Sequence, residues 1–167
     1  MSNNSADIKD YVTLFTSTGV PDDASNPAHY TWNIPQSYYS NQRSSTCSVS
    51  CVGANLTTKG IHPSVIVTWE GGTTNSYEQD QREVLFHPTA VGYGYAAGSK
   101  FFHTSPDTNI IELMVRPRPN TITLAFVGEA GVRDAYIQTG CITLCFTYYN
   151  QEASTDLLMG QFTPTLK

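Results

Sequence analysis

A chain of 167 residues can bury one two-layer core without disulfide or metal staples, and its charged share of 14% is low against the roughly 25% of ordinary soluble domains. Net charge is −5 and the nine basic residues are scattered, which excludes a basic face that could grip a phosphate backbone. No apolar run approaches membrane-spanning length, so neither nucleic acid nor a membrane span is expected among the partners.

The opening residues, Met1-Ser-Asn-Asn-Ser-Ala-Asp7, are polar and lack both the basic and the apolar regions of a secretory signal. Synthesis in a cytosol is therefore expected, with any role outside a cell requiring release inside a particle. Residues 1–9 read as an N-terminal arm. The first strand is expected over 10–17, where Tyr11-Val-Thr-Leu-Phe15 alternates polar and apolar residues; such a period of two sends one side chain into a core and the next toward water. Residues 18–27 are rich in turn formers. A second strand is expected over 28–34, with Tyr30, Trp32 and Ile34 on one face, and Pro35 ends it because proline cannot donate to a ladder.

Residues 37–45 read as a polar loop carrying Tyr38 and Tyr39. A strand over 46–57 follows, and its Gly53 invites a bulge. The next strand spans 64–70, with Val65, Val67 and Trp69 inward. A strong turn at 71–76 and an acidic stretch, Glu78-Gln-Asp80, lead into a strand over 82–87. Residues 88–98, with Tyr93 and Tyr95 among three glycines, read as an irregular loop, and 100–103 as a short strand. Strands over 109–116, 121–127 and 140–149 complete the domain, with Ile111, Leu113 and Val115 inward. The tail 151–167 is too apolar for an inert linker, since it holds Leu157, Leu158, Met159 and Phe162; it reads as a C-terminal arm that docks on its own body or on a neighbour.

Short strands of even spacing with polar turns define an all-β sandwich or barrel. Eight main strands in one domain over 10–150 fit an eight-stranded antiparallel single jelly roll, lettered B to I, with sheets B-I-D-G and C-H-E-F face to face.

Signatures of catalysis are missing from the sequence. There is no G-x-S-x-G elbow, and neither a P-loop nor a G-x-G-x-x-G fingerprint follows a strand. The four histidines, His29, His62, His87 and His103, do not fall at metal-ligand spacing, although His87 and His103 would approach each other if their strands paired. The acids at Asp22-Asp23 and at Glu78, Asp80 and Glu83 read as solvated loop charge. No enzyme activity and no cofactor are expected.

The four cysteines form two C-x3-C pairs, Cys47/Cys51 and Cys141/Cys145, each inside an expected strand. Residues four apart on a strand share a face but lie roughly 13 Å apart at about 3.3 Å per residue, so one pair cannot clamp a metal alone. Antiparallel neighbours could set Cys47 opposite Cys145 and Cys51 opposite Cys141. The faces disagree, however: Cys47 and Cys51 run with Val49, whereas Cys141 and Cys145 run with Thr143 while Ile142, Leu144 and Phe146 point inward. Free thiols are the first reading, and cross-strand disulfides or a metal remain as alternatives.

Residues 109–131, followed by Cys141-Ile-Thr-Leu-Cys-Phe-Thr-Tyr-Tyr149, resemble the closing strands of single jelly-roll minor capsid or penton-type proteins of large eukaryotic double-stranded DNA viruses and their virophage-like relatives. Leu14-Phe-Thr-Ser17 and Tyr30-Thr-Trp-Asn-Ile-Pro35 are similar to the opening strands of that family. The resemblance covers 10–150 as a pattern of strand lengths and turns. It implies a structural virion protein packed symmetrically as pentamers or trimers against copies of itself and other capsid proteins, with terminal arms under neighbours and no catalytic residues. Tyrosine adds contact area at low entropic cost, so Tyr38, Tyr39, Tyr93 and Tyr95 are candidate interface residues, together with Leu157, Leu158 and Phe162. A lectin- or TNF-like binding module for a glycan or receptor is the rival reading.

Overall fold

In the computed structural model, the described residues are 7–40, 47–70, 83–93, 98–103, 110–113, 118–128 and 135–148. They form two antiparallel sheets packed as a sandwich. The first sheet runs β1 (Ile8–Phe15), β11 (Ile137–Tyr148), β4 (Cys47–Thr58), β8 (Ser99–His103), β7 (Ala90–Tyr93), with β9 (Ile111–Leu113) also on β4. The second runs β2 (Val20–Pro21), β3 (His29–Asn33), β10 (Thr121–Gly128), β5 (Val65–Trp69), β6 (Glu83–Phe86). Among the described residues the helical content is one 3-10 turn at Gln36–Tyr38.

The alternation read from the sequence sets the faces. Val12 and Leu14 of β1, Tyr30 and Trp32 of β3, Val65, Val67 and Trp69 of β5, and Ile142, Leu144 and Phe146 of β11 are all buried in one core. Trp69 meets Phe146 edge to face at 6.5 Å, and Tyr39 meets the same ring at 5.4 Å, joining the two sheets. Burying each such side chain stabilises the fold by roughly 1.5–3 kcal/mol. At one corner the Trp32 indole donates to the Phe15 carbonyl over 2.8 Å, which ties the end of β1 to the second sheet.

Several expectations are corrected. Strands number eleven among the described residues rather than eight. The side of β4 expected to carry one long strand is shared: β8 pairs with Ala54–Thr57 and β9 with Cys47–Val49. Residues 90–93, expected in an irregular loop, form β7 on the outer side of β8. Ile8 and Lys9, expected in the N-terminal arm, already pair with Tyr148 and Thr147; Asp7 is exposed, and residues 1–6 and the C-terminal arm lie outside the described residues. Gly53 does mark a bulge, because Thr143 opposes Gly53 while Leu144 opposes Cys51, leaving Val52 as the extra residue.

That bulge and the register around it settle the thiols. The strands of the two cysteine pairs are antiparallel neighbours, but Cys47 opposes Tyr148, Cys51 opposes Leu144, Cys145 opposes Ser50 and Cys141 opposes Asn55. Cys47 and Cys51 point into the core, and Cys141 and Cys145 take the outer face. No cysteine therefore faces another across the ladder, and all four are free thiols.

Candidate interaction surface

The outer face of the first sheet is built by the residues that alternate with its core positions. Across β1, β11 and β4 the ladder aligns Tyr11, Cys145 and Ser50 in one row and Thr13, Thr143 and Gly53 in the next. A third row, Phe15, Cys141, Asn55 and Phe102, reaches β8. None of these residues is charged. Tyr11 is 63% exposed, Phe15 49% and Phe102 56%. Strands lie about 4.8 Å apart, so Phe15 and Phe102 stand roughly 14 Å from each other. Small polar side chains floor the space between these aromatic flanks, and Thr13 and Thr143 satisfy each other's hydroxyls at 3.0 Å. Such a face loses little hydration when another uncharged surface covers it, and its aromatic flanks gain from being covered.

The residues singled out in the sequence fall differently. Tyr38 is exposed on the 3-10 turn. Tyr39, expected to share its role, is a core residue at 2% exposure whose hydroxyl donates to the Pro119 carbonyl over 2.6 Å; it is unavailable to a partner. Tyr93 belongs to β7, but its side chain lies outside the described residues, as do Tyr95, Leu157, Leu158 and Phe162. Tyr11, Phe15 and Phe102 were missed. Their signal was the phase of the alternation, since Tyr11 and Phe15 fall out of step with Val12 and Leu14.

Polar chemistry elsewhere is structural in form. On the outer face of the second sheet, His29 Nδ1 and Glu70 Oε2 lie 2.8 Å apart. Asp22 accepts from the backbone N–H groups of Ala28 and His29. Burial works to raise the Asp22 carboxyl, but those hydrogen bonds and the nearby His29 hold it below the usual carboxylate value. His87 and His103 do not come together through strand pairing, because β6 and β8 belong to different sheets; His103 stacks instead on Phe86 at 5.0 Å. Among the described residues no three His, Cys, Asp or Glu side chains converge as metal ligands, and no helix is long and apolar enough to cross a membrane.

Comparison with known proteins gives no match to any family model, curated protein or solved structure.

Proposed function

We propose that this protein is a structural virion component, a minor capsid or penton (vertex) building block that assembles through symmetric protein–protein contacts. Strand order carries the reading. If β1, β3, β4, β5, β6, β10 and β11 are lettered B, C, D, E, F, H and I, the sheets read B-I-D and C-H-E-F, with β8 and β9 together beside D where G belongs. That order supports reading the sandwich as a jelly roll, an architecture used for capsid shells. The three uncharged rows of the first sheet's outer face, lying between Lys9 on β1 and Lys100 on β8, suit dense packing against neighbours. The reading rests on fold analogy, and the partners it implies are copies of the same chain and other capsid proteins. The absolute mass in solution, measured by light scattering with and without reductant, tests it. A discrete trimer or pentamer that ignores reductant supports a vertex building block, and a monomer at all concentrations removes self-assembly.

One observation favours a second reading, a lectin-like module. Exposed Phe102 beside Asn55, with Phe15 at the far end of the same row, are residue types that stack on and hydrogen-bond to a neutral sugar. Binding on a glycan array that is lost in Phe15→Ala and Phe102→Ala would select it.

A further inference from the structure

We propose that the open edge of β1 pairs antiparallel with β1 of a second copy, fusing the first sheets of two molecules into one continuous sheet across a two-fold axis. The contact goes beyond the capsid reading and does not depend on it.

The ladder fixes which backbone groups β1 leaves unused. In an antiparallel pair, opposed residues alternate between exchanging hydrogen bonds and merely lying close. Thr16 N–H donates to Gly140 O over 3.0 Å, one step beyond the Phe15–Cys141 pair. Thr16, Leu14, Val12, Asp10 and Ile8 are therefore the residues bonded to β11. Thr13 and Thr143, with hydroxyls 3.0 Å apart, have the close side chains of a non-bonded pair. The Phe15 carbonyl turns away from β11 to receive the Trp32 indole and the Thr18 N–H. Lys9, Tyr11 and Thr13 thus aim N–H and C=O at the open side, and Phe15 aims its N–H there. Among the described residues β1 pairs with β11 alone, and no turn or loop hydrogen bond reaches this side of Lys9, Tyr11 or Thr13.

An eight-residue open edge invites another strand. The other sheet ends are less fit: β2 has two residues and ends in Pro21, and β6 and β7 have four each. A second β1 is the occupant that the charges favour. Lys9 and Asp10 cancel, so the strand brings no net charge to the contact. With the two-fold axis at Tyr11, each Lys9 faces the partner's Thr13 and the two lysines stay roughly 13 Å apart along the strands. Tyr11 then meets its symmetry mate, and the bonded pairs Lys9/Thr13, Tyr11/Tyr11 and Thr13/Lys9 exchange about six hydrogen bonds. The row from Tyr11 to Cys145 and Ser50 meets its own symmetry copy at the axis, and the Thr13–Thr143 row runs on to Lys9 and Thr147 of the second copy.

Amide hydrogen exchange against protein concentration, read residue by residue, tests the proposal alongside light scattering. The amides of Asp10, Val12 and Leu14 should be protected at every concentration. Those of Lys9, Tyr11 and Thr13 should slow at least tenfold as the mass doubles. Thr13→Pro removes an N–H that β11 does not use, so it should keep the fold and lose the doubling, whereas Thr13→Val should keep both. Fast exchange at Lys9, Tyr11 and Thr13 at all concentrations overturns the proposal. So does concentration-independent protection, which would mean that the chain covers its own edge. A trimer or pentamer unchanged in Thr13→Pro also overturns it while leaving the capsid reading standing. If Thr13→Pro fails to fold, the wild-type exchange profile decides alone.

Discussion

His29 and Glu70 clasp each other across β10. His29 lies opposite Ala125 on one side of that strand, and Glu70 follows β5 on the other, its N–H bonded to Thr123 O at 3.0 Å. Their side chains meet at 2.8 Å, and Ala125 beneath is fully buried although it is no part of the core between the sheets. A methyl group is what the strap leaves room for. Ala125→Leu should cost about 1–3 kcal/mol by overpacking. Glu70→Gln should cost less than about 1 kcal/mol, because the pair is partly solvated. Urea unfolding of both variants tests the order; equal losses would mean that the strap does not confine Ala125.

The four thiols should react in an order set by their faces. Burial pushes the Cys51 thiol up to about 12 despite its contact with the Gly53 carbonyl, and Cys47 is equally enclosed. The thiolate is the nucleophile, so neither should alkylate in the folded protein at pH 8. Cys141, half-buried on the outer face, should be modified first. Mass spectrometry after a timed iodoacetamide pulse would show Cys47 and Cys51 labelled only on unfolding, and early labelling at Cys51 would contradict its placement.

Tyr39 and Tyr148 offer a matched pair of hydroxyl deletions. Both are buried, and burial, first of all, raises both phenols. Tyr39 donates to Pro119 O, whereas Tyr148 Oη has no hydrogen-bond partner among the described residues. Tyr39→Phe should destabilise by about 1 kcal/mol or somewhat more, since it strands a buried carbonyl. Tyr148→Phe should be neutral or stabilising, because it removes a desolvated group that gains nothing. Thermal unfolding of the two variants separates them, and a larger loss for Tyr148→Phe would contradict the assignment.

The contrast between Tyr38 and Tyr39 marks where sequence reading stops. Alternation placed Tyr30, Trp32, Val65, Val67 and Trp69 because a regular strand converts order in the chain directly into face. The segment after Pro35 has no such period, and Tyr39 is inward because the 3-10 turn aims it at Phe146. The cysteines fail for a related reason. One extra residue at Val52 and a register set by the whole length of β4 against β11 decide what opposes Cys47, and neither is a local property. Tyr11 and Phe15 were legible in principle, since their phase against Leu14 already put them outside.

His103 gives the fold an acid sensitivity of definite sign. It faces between the sheets, stacked on Phe86, and its Nε2 is buried without a hydrogen-bond partner among the described residues. Burial alone holds the imidazole below its usual value of 6.5. Above that value the side chain is neutral folded or unfolded, and its contribution to stability is complete. As pH falls below 6.5 the unfolded chain takes up the proton first, so stability declines until the folded value is also passed. His103→Phe keeps a ring against Phe86 and removes the proton site. Melting temperature measured from pH 8 to pH 5 should fall for the wild type and fall less for His103→Phe, with His29, His62 and His87 unchanged in both. Parallel curves for the two proteins would assign the acid sensitivity to another group.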